Sequence, residues 1–167
     1  NSVRDPKIAV AVLVENNNTA SNVARKVIDK YLLAAKEKEN HDKTTTATDT
    51  TSTSFVTTNL TASITPSSTS SKILILADGC VDNDANGRQG MFALYRGSTN
   101  LSGGANTAFS SVYSTARSII SVALNFLDTP STTSSTTYAI FIKTTSGNVE
   151  FCSQGTEANM TLMEIGA

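Results

Sequence analysis

The stretch "DNDANG", which begins at residue 82, has the residue types and spacing of a calcium-binding loop. Asp82, Asp84 and Asn86 alternate along the chain and would offer side-chain oxygens, and the glycine that follows would allow a sharp turn. A complete helix-loop-helix site also needs a glutamate at the twelfth position, where this sequence has Ala93. We therefore favour a polar hairpin loop here and expect no bound metal and no other cofactor.

Groups that could perform catalysis are sparse. The single histidine, His41, lies in a segment that we interpret as a linker, so the sequence offers no histidine-based catalytic triad inside a folded domain. No lysine has a serine three positions before it, as the Ser-x-x-Lys nucleophile of penicillin-recognising enzymes requires. We expect a protein that is not an enzyme.

Composition narrows the class of partner. The chain has 167 residues and a formal net charge of −1, which gives no electrostatic basis for binding nucleic acid or an anionic membrane surface. No apolar run is long enough to span a bilayer, so we expect no membrane insertion. The two cysteines, Cys80 and Cys152, are too few for a disulfide scaffold. We favour free thiols, with a single disulfide bridge as the alternative.

The charged residues divide the chain into two compositions. Residues 1–43 contain 14 of the 27 charged side chains, and residues 44–71 are Ser or Thr at 19 of 28 positions. A segment so poor in large apolar groups cannot offset the entropy lost when it becomes ordered. We predict a flexible linker over residues 36–53, with separate pieces at 1–35 and 54–167.

The first piece is predicted to be a strand followed by a helix. "DPKIAVAVLVEN" is β-branched at alternate positions and apolar between them, which is typical of a strand buried on both faces. In "ASNVARKVIDKYLLAA", apolar residues recur every four positions, as on one face of an amphipathic helix. Such an appendage needs a sheet from elsewhere to bury its apolar surface.

Residues 5–33 resemble the C-terminal end of the transpeptidase domain of elongation-class penicillin-binding proteins. The resemblance rests on "DPKIAVAVLVEN" followed by "ARKVIDKYLL", and it implies a late strand and terminal helix of that domain. The family's turn between the two is usually longer and glycine-rich, whereas this sequence has "NNNTASN". The fragment would supply scaffold and no catalytic motif, in a chain that would then be a chimera.

The second piece reads as mainly β. Short apolar runs alternate with Ser, Thr, Asn and Gly clusters, which favours an antiparallel β-sandwich that is jelly-roll-like. For the segment "FSSVYSTARS" we predict a loop or a single helical turn. The predicted strands are "SFVTTNLTASI", "KILILAD", "MFALYRG", "SIISVALNFLD", "TYAIFIKTT", "NVEFCSQ" and "MTLMEI".

Residues 54–167 also resemble a known family, the C-terminal β-domain of bacteriophage tail-fibre-like and other virion proteins. The matching motifs are "ASITPSSTSSKILIL", "FALYRGSTNL", "LNFLDTPSTTSSTTYAIFIKTTSGNV" and "TLMEIGA", in that order. The resemblance implies a homotrimer on the tail fibre of a virion, outside the cell. It also implies host attachment through a bacterial surface glycan or protein receptor.

Polar, neutral loops agree with such a receptor-binding role, although any solvated β-domain has them. Our ligand-contact candidates are Arg88, Asn100, Asn106 and Tyr113, which lie in or beside the loops "NGRQG" and "GSTNLSGGANT". Two other functions remain open. One is a periplasmic remnant of a cell-wall transpeptidase that carries an extra β-domain, and the other is a secreted carbohydrate-binding module with an exposed aromatic platform.

Overall fold

A computed structural model describes residues 39–83, 88–104 and 106–165. The strand-helix appendage predicted for residues 1–35 lies outside the described residues. Within them the chain forms eleven strands and one short 3-10 turn. The strands are β1 Glu39–Thr44, β2 Thr48–Thr50, β3 Val56–Ile64, β4 Lys72–Asn83, β5 Arg88–Arg96, β6 Thr99–Asn100, β7 Ser110–Ser114, β8 Ser118–Asp128, β9 Thr136–Thr144, β10 Val149–Phe151 and β11 Ala158–Ile165.

Two antiparallel sheets contain these strands. In sheet A, β4 pairs with β8 along one side, and with β11 and then β10 along the other; β1 extends the sheet beyond β11, and β2 beyond β10. In sheet B, the order is β3-β9-β5, and both β6 and β7 pair with the far side of β5. The predicted mainly β class and antiparallel β-sandwich are confirmed.

The core lies between the two sheets and follows the alternation of the sequence. Ile73, Ile75 and Ala77 of β4 are buried, whereas Leu74 is half-buried and Leu76 and Asp78 are exposed, as the period-2 pattern of "KILILAD" predicts. Tyr138, Ile140 and Ile142 of β9 face this core from sheet B. Cys80 and Cys152 are both buried and free, which confirms the preferred reading of two thiols.

The prediction of a flexible linker over residues 36–53 is wrong for residues 39–50, because the structure places β1 and β2 there. Hydrogen bonds from polar side chains hold β1 against β3, in the place of the apolar contacts that usually join two sheets. The Asn40 amide donates to the Ser63 carbonyl at 2.7 Å, and the Asp42 carboxylate accepts from the Thr61 amide at 3.2 Å. Both bonds reach across to β3, so the sandwich includes β1 and does not begin at residue 54.

The segment "FSSVYSTARS" is also a strand in part, so the expected loop or helical turn is wrong for residues 110–114. Ser110–Ser114 form β7, which pairs with β5 in continuous register. Only Val112 of this strand is buried in the core. A single inward apolar residue cannot create a period-2 pattern, and for this reason the strand is not evident in the sequence.

A buried polar contact ties the two sheets together at one end. The Arg96 guanidinium donates to both oxygens of Asp128, at 2.9 and 2.8 Å, and the Tyr138 hydroxyl donates to the same carboxylate at 2.7 Å. Arg96 and Tyr138 are opposite each other on β5 and β9, whereas Asp128 ends β8 in sheet A. Burial raises the pKa of Tyr138, and the hydrogen bond to Asp128 raises it further, so the phenol remains a donor.

Close packing fixes one glycine in the middle of β4. A Cβ atom at Gly79 would lie 2.6 Å from Cζ of Phe151 and 3.0 Å from Cβ of Ala158. The absence of a side chain therefore lets the Phe151 ring cross β4 and stack against Phe92 of sheet B, with ring centres 6.3 Å apart. This contact packs β10 against the core.

We expect Tyr138→Phe to lower the free energy of unfolding by about 1.5–3 kcal/mol, because it removes a buried hydrogen bond to a charged group. The matched control is Tyr113→Phe, since Tyr113 is 66% exposed and its substitution makes the same chemical change at the surface. Urea denaturation of both variants measures the difference. Equal stability of the two would show that the inter-sheet contact contributes nothing.

Candidate functional site

The candidate site is a shallow depression on the outer side of sheet B, which we name the β5–β7 depression. Its volume is about 290 Å³, near the lower limit for small-molecule sites, so it fits one small polar group such as a single sugar ring. Amide and hydroxyl groups dominate its wall. The lining residues are Gln89, Met91, Asn106, Ala108, Phe109, Ser110 and Ser111.

The structure places two of the four sequence-predicted candidates at or beside this depression. Asn106 is exposed and lines the depression itself, and Tyr113 lies directly opposite Gln89 in the pairing of β5 with β7. Tyr113 is 66% exposed, so its ring is available at the rim. The backbone of Arg88 belongs to β5, next to Gln89, and its side chain lies outside the described residues.

Asn100 lies at the start of the loop that leads to Asn106, and its amide is bonded inside the chain. Its Nδ2 donates to the carbonyls of Gly104 and Thr107, at 2.7 and 2.9 Å, and its Oδ1 accepts from the Ser102 amide at 2.8 Å. These three bonds close the turn that leads from β6 to Asn106. Asn100 therefore positions the loop beside the depression, which is the usual role of an asparagine in tight turns.

An aromatic cluster and Lys143 support the loop that contains Asn106. The rings of Tyr95 and Phe141 stack with centres 3.9 Å apart, and Phe55 contacts Tyr95 edge-on at 5.8 Å. The Lys143 ammonium lies 4.6 Å from the centre of the Phe55 ring and 3.4 Å from both the carbonyl and the side-chain oxygen of Asn106. Burial raises the pKa of Tyr95, and this phenol is neutral at physiological pH.

Sequence reasoning missed the roles of Phe55 and Lys143. Lys143 looked like an ordinary outward residue of a strand, yet it is 7% exposed because Phe55 and the Asn106 loop cover it. The contact joins residues far apart in the chain, so no local spacing could indicate it. The only available signal was an aromatic residue at the start of β3 and a cation on a strand that is otherwise apolar.

The calcium-loop residues are only partly within the described chain. Asp84 and Asn86 lie outside the described residues. The Asp82 carboxylate is buried and bound by Arg117, whose Nη2 donates at 2.5 Å and whose Nε lies 3.2 Å from both oxygens. In the described ranges, no group of three or more His, Cys, Asp or Glu side chains is arranged to hold a metal.

Three carboxylates form a row across sheet A, apart from the depression. Glu150 of β10 is directly opposite Asp49 of β2 on one side and Asp82 of β4 on the other. Burial raises the pKa of Glu150; the charges of Asp82 and Asp49 raise it further, and the Arg117 guanidinium opposes the shift. Arg117 thus offsets part of the negative charge of a row that runs from the exposed Asp49 to the buried Asp82.

The described residues give little support for a catalytic nucleophile. Burial raises the pKa of Cys152 to about 11, with smaller contributions from Cys80 and Asp78, so the thiol is protonated at neutral pH. His41 lies in β1, where its Nδ1 is 3.1 Å from the Thr161 hydroxyl. None of the residues that line the depression is His, Cys, Asp or Glu, so its chemistry is hydrogen bonding and apolar contact.

No protein-family model matches the chain. No curated protein matches it either. Among solved structures, that of the infectious bursal disease virus Gx strain is 11% identical with a TM-score of 0.44, and the match covers 77% of this chain and 40% of the viral chain. The subviral particle of VP2 from the same virus gives 10% identity, a TM-score of 0.39 and coverages of 80% and 38%.

A third solved structure is that of Bacillus endospore appendages, described as a family of disulfide-linked pili. It is 16% identical with a TM-score of 0.37, and the match covers 77% of this chain and 91% of the pilus chain. This chain therefore spans 40% of the length of the viral protein named first and most of the pilus protein. Scores at this level carry no argument about function.

We expect Asn100→Asp to loosen the turn before Asn106, because a carboxylate would face the two carbonyls that now accept from the amide. Loss of paired hydrogen bonds and repulsion between acceptors should cost about 1–3 kcal/mol. Hydrogen exchange of the amides in residues 101–107 measures the effect. The control is Asn125→Asp, an exposed amide on β8. Unchanged protection in Asn100→Asp would leave this side chain free for a ligand.

We expect Glu150→Gln to stabilise the protein at neutral pH by about 0.2–1 kcal/mol, because it removes like charges directly opposite each other. The folded-state pKa of Glu150 is raised, so the folded form holds this proton more tightly and stability falls as pH rises through that pKa. The gain should therefore vanish below the ordinary glutamate pKa of about 4.3.

Thermal unfolding over a pH series measures the effect of Glu150→Gln. Glu157→Gln is the matched control, because Glu157 accepts from Lys43 at 3.2 Å in an exposed ion pair and its loss should stabilise nothing. A gain for Glu150→Gln that persists in acid would rule out charge repulsion as its cause.

Proposed function

We propose that the chain is a virion structural protein of the tail-fibre type that attaches to the host surface through the β5–β7 depression and has no enzymatic activity. The observation that carries the proposal is the character of this depression. Neutral amides and hydroxyls line it, and the exposed ring of Tyr113 stands at its rim. Sugar hydroxyls and peptide groups are recognised by this combination of polar and aromatic contacts.

We further infer that the sandwich is a jelly roll. Eight of its strands form two facing orders, β1-β11-β4-β8 and β3-β9-β5-β7, and the chain passes between the sheets in the sequence of two Greek keys. Jelly rolls occur in viral capsid and lectin domains. The fold therefore agrees with a structural role and with glycan binding, although fold alone does not determine function.

The proposal includes the location, the oligomeric state and the class of receptor that the sequence resemblance implies. The protein would act outside the cell on the virion, as a homotrimer, and its receptor would be a bacterial surface glycan or protein. None of the described elements is a helix with the length and apolar character needed to cross a membrane. Light scattering of the full chain after size exclusion should give three chain masses or a multiple of three.

The test of attachment is binding of the full chain to a panel of bacterial surface polysaccharides and to whole cells. Tyr113→Ala should weaken binding about tenfold, because one aromatic contact is worth about 0.5–1.5 kcal/mol. Asn106→Ala should weaken it as well, whereas Thr46→Ala, in the exposed turn between β1 and β2, is the matched control. Equal binding by all variants would place the receptor site elsewhere.

Two further outcomes would change the proposal. Release of reducing sugar from a bound polysaccharide would overturn the non-enzymatic part. A monomer that binds glycans through the depression would favour the secreted carbohydrate-binding module over the fibre protein.

A further inference from the structure

β8 forms an open edge of sheet A. It pairs with β4 over its whole length, from the pair Asp128–Ile73 to the pair Ser118–Asn83, and with no other strand in the described ranges. In the described part of the chain, the eleven residues of β8 therefore present a row of backbone groups about 37 Å long that has no second partner strand. Natural edges are usually protected by lysine, proline or a bulge. Residues 118–127 contain none of these.

Apolar side chains are concentrated on the same edge. Six large apolar residues are exposed in the described part of the chain, and three of them are Ile119, Ile120 and Leu127 of β8, each between 43% and 49% exposed. Leu76 of the neighbouring strand is exposed beside them. Exposed apolar side chains along an edge with no second partner strand favour pairing with another strand.

The sequence of β8 identifies what kind of strand would fit. "SIISVALNFLD" has the same order of polar and apolar residues when it is read in either direction, with Ala123 at its centre. An antiparallel copy centred on Ala123 would set apolar against apolar and polar against polar at every position. The pairs would be Ser118 with Asp128, Ile119 with Leu127, Ile120 with Phe126, Ser121 with Asn125, Val122 with Leu124, and Ala123 with Ala123.

Charge does not oppose self-pairing of this edge. Arg117, which precedes β8, is paired with Asp82, and Asp128 at the end of the strand is paired with Arg96, so both charges are offset within each copy. No charged residue lies between these ends, so nothing repels along the seam.

We propose that β8 pairs with β8 of a second copy of this chain, antiparallel, about a two-fold axis at Ala123. Sheet A then continues across both copies, and the contact is isologous, as in most homodimers. A strip about 37 Å long and about 10 Å wide covers roughly 400 Å² per copy, half of a standard interface. The dimer therefore forms reversibly in a concentration-dependent way.

The test places charges on the axis of the full-length chain. Ala123→Glu sets two carboxylates directly opposite each other, and Ala123→Lys sets two ammonium groups there; Ala123 is exposed, so neither change disturbs the core. Each variant alone should show half of the wild-type mass by light scattering at the same concentration. An equimolar mixture should recover the wild-type mass, because Glu then faces Lys.

The matched control is Ala47→Glu, in the exposed turn between β1 and β2, which should keep the wild-type mass. Loss of the β8 contact halves the mass whether the unit that pairs is a single chain or a trimer. Absence of the trimer changes the mass of that unit instead, so the two failures give different results. A wild-type mass that does not change with concentration or with Ala123→Glu overturns the proposal. Failure of the mixture to recover the mass overturns the Ala123 register.

Discussion

The arrangement of both sheets depends on the hydrogen bonds that the Asp128 carboxylate accepts. Asp128 ends β8 of sheet A and accepts hydrogen bonds from Arg96 and Tyr138, which belong to two strands of sheet B. A buried carboxylate is costly unless it is paired and hydrogen-bonded, and here three donor contacts satisfy it. The same contact positions β5, which carries the candidate site, relative to β8, which carries the open edge.

The sequence predicted the parts of the fold that apolar burial specifies. Strands such as β4 and β9 alternate between core and surface, so their period-2 pattern identified them. β1 could not be found in this way, because its inward side chains Asn40 and Asp42 bond to the backbone of β3 and bury no apolar surface. The Ser/Thr-rich composition that suggested a linker is equally compatible with the edge strand β2, since threonine favours β structure.

The candidate site was predictable in its location and not in its construction. Loops rich in serine, asparagine and glycine drew attention to the region around β5, where Asn106 lines the depression and Tyr113 is paired with Gln89, another lining residue. The different roles of the residues around the depression depend on contacts between distant parts of the chain. Asn100 closes the turn and Lys143 is held between Phe55 and the Asn106 loop, and neither fact follows from spacing in the sequence.

The site and the open edge are related by geometry. A two-fold axis between antiparallel strands of one sheet is perpendicular to that sheet, so it leaves both copies of sheet B on the same side of the joined sheet A. The two β5–β7 depressions, which lie on the outer side of sheet B, would then face the same direction. Two weak sites that face one surface bind it more strongly than either alone, because the second contact is made at high effective concentration. A shallow depression of about 290 Å³, too small for tight binding by itself, gains most from such pairing.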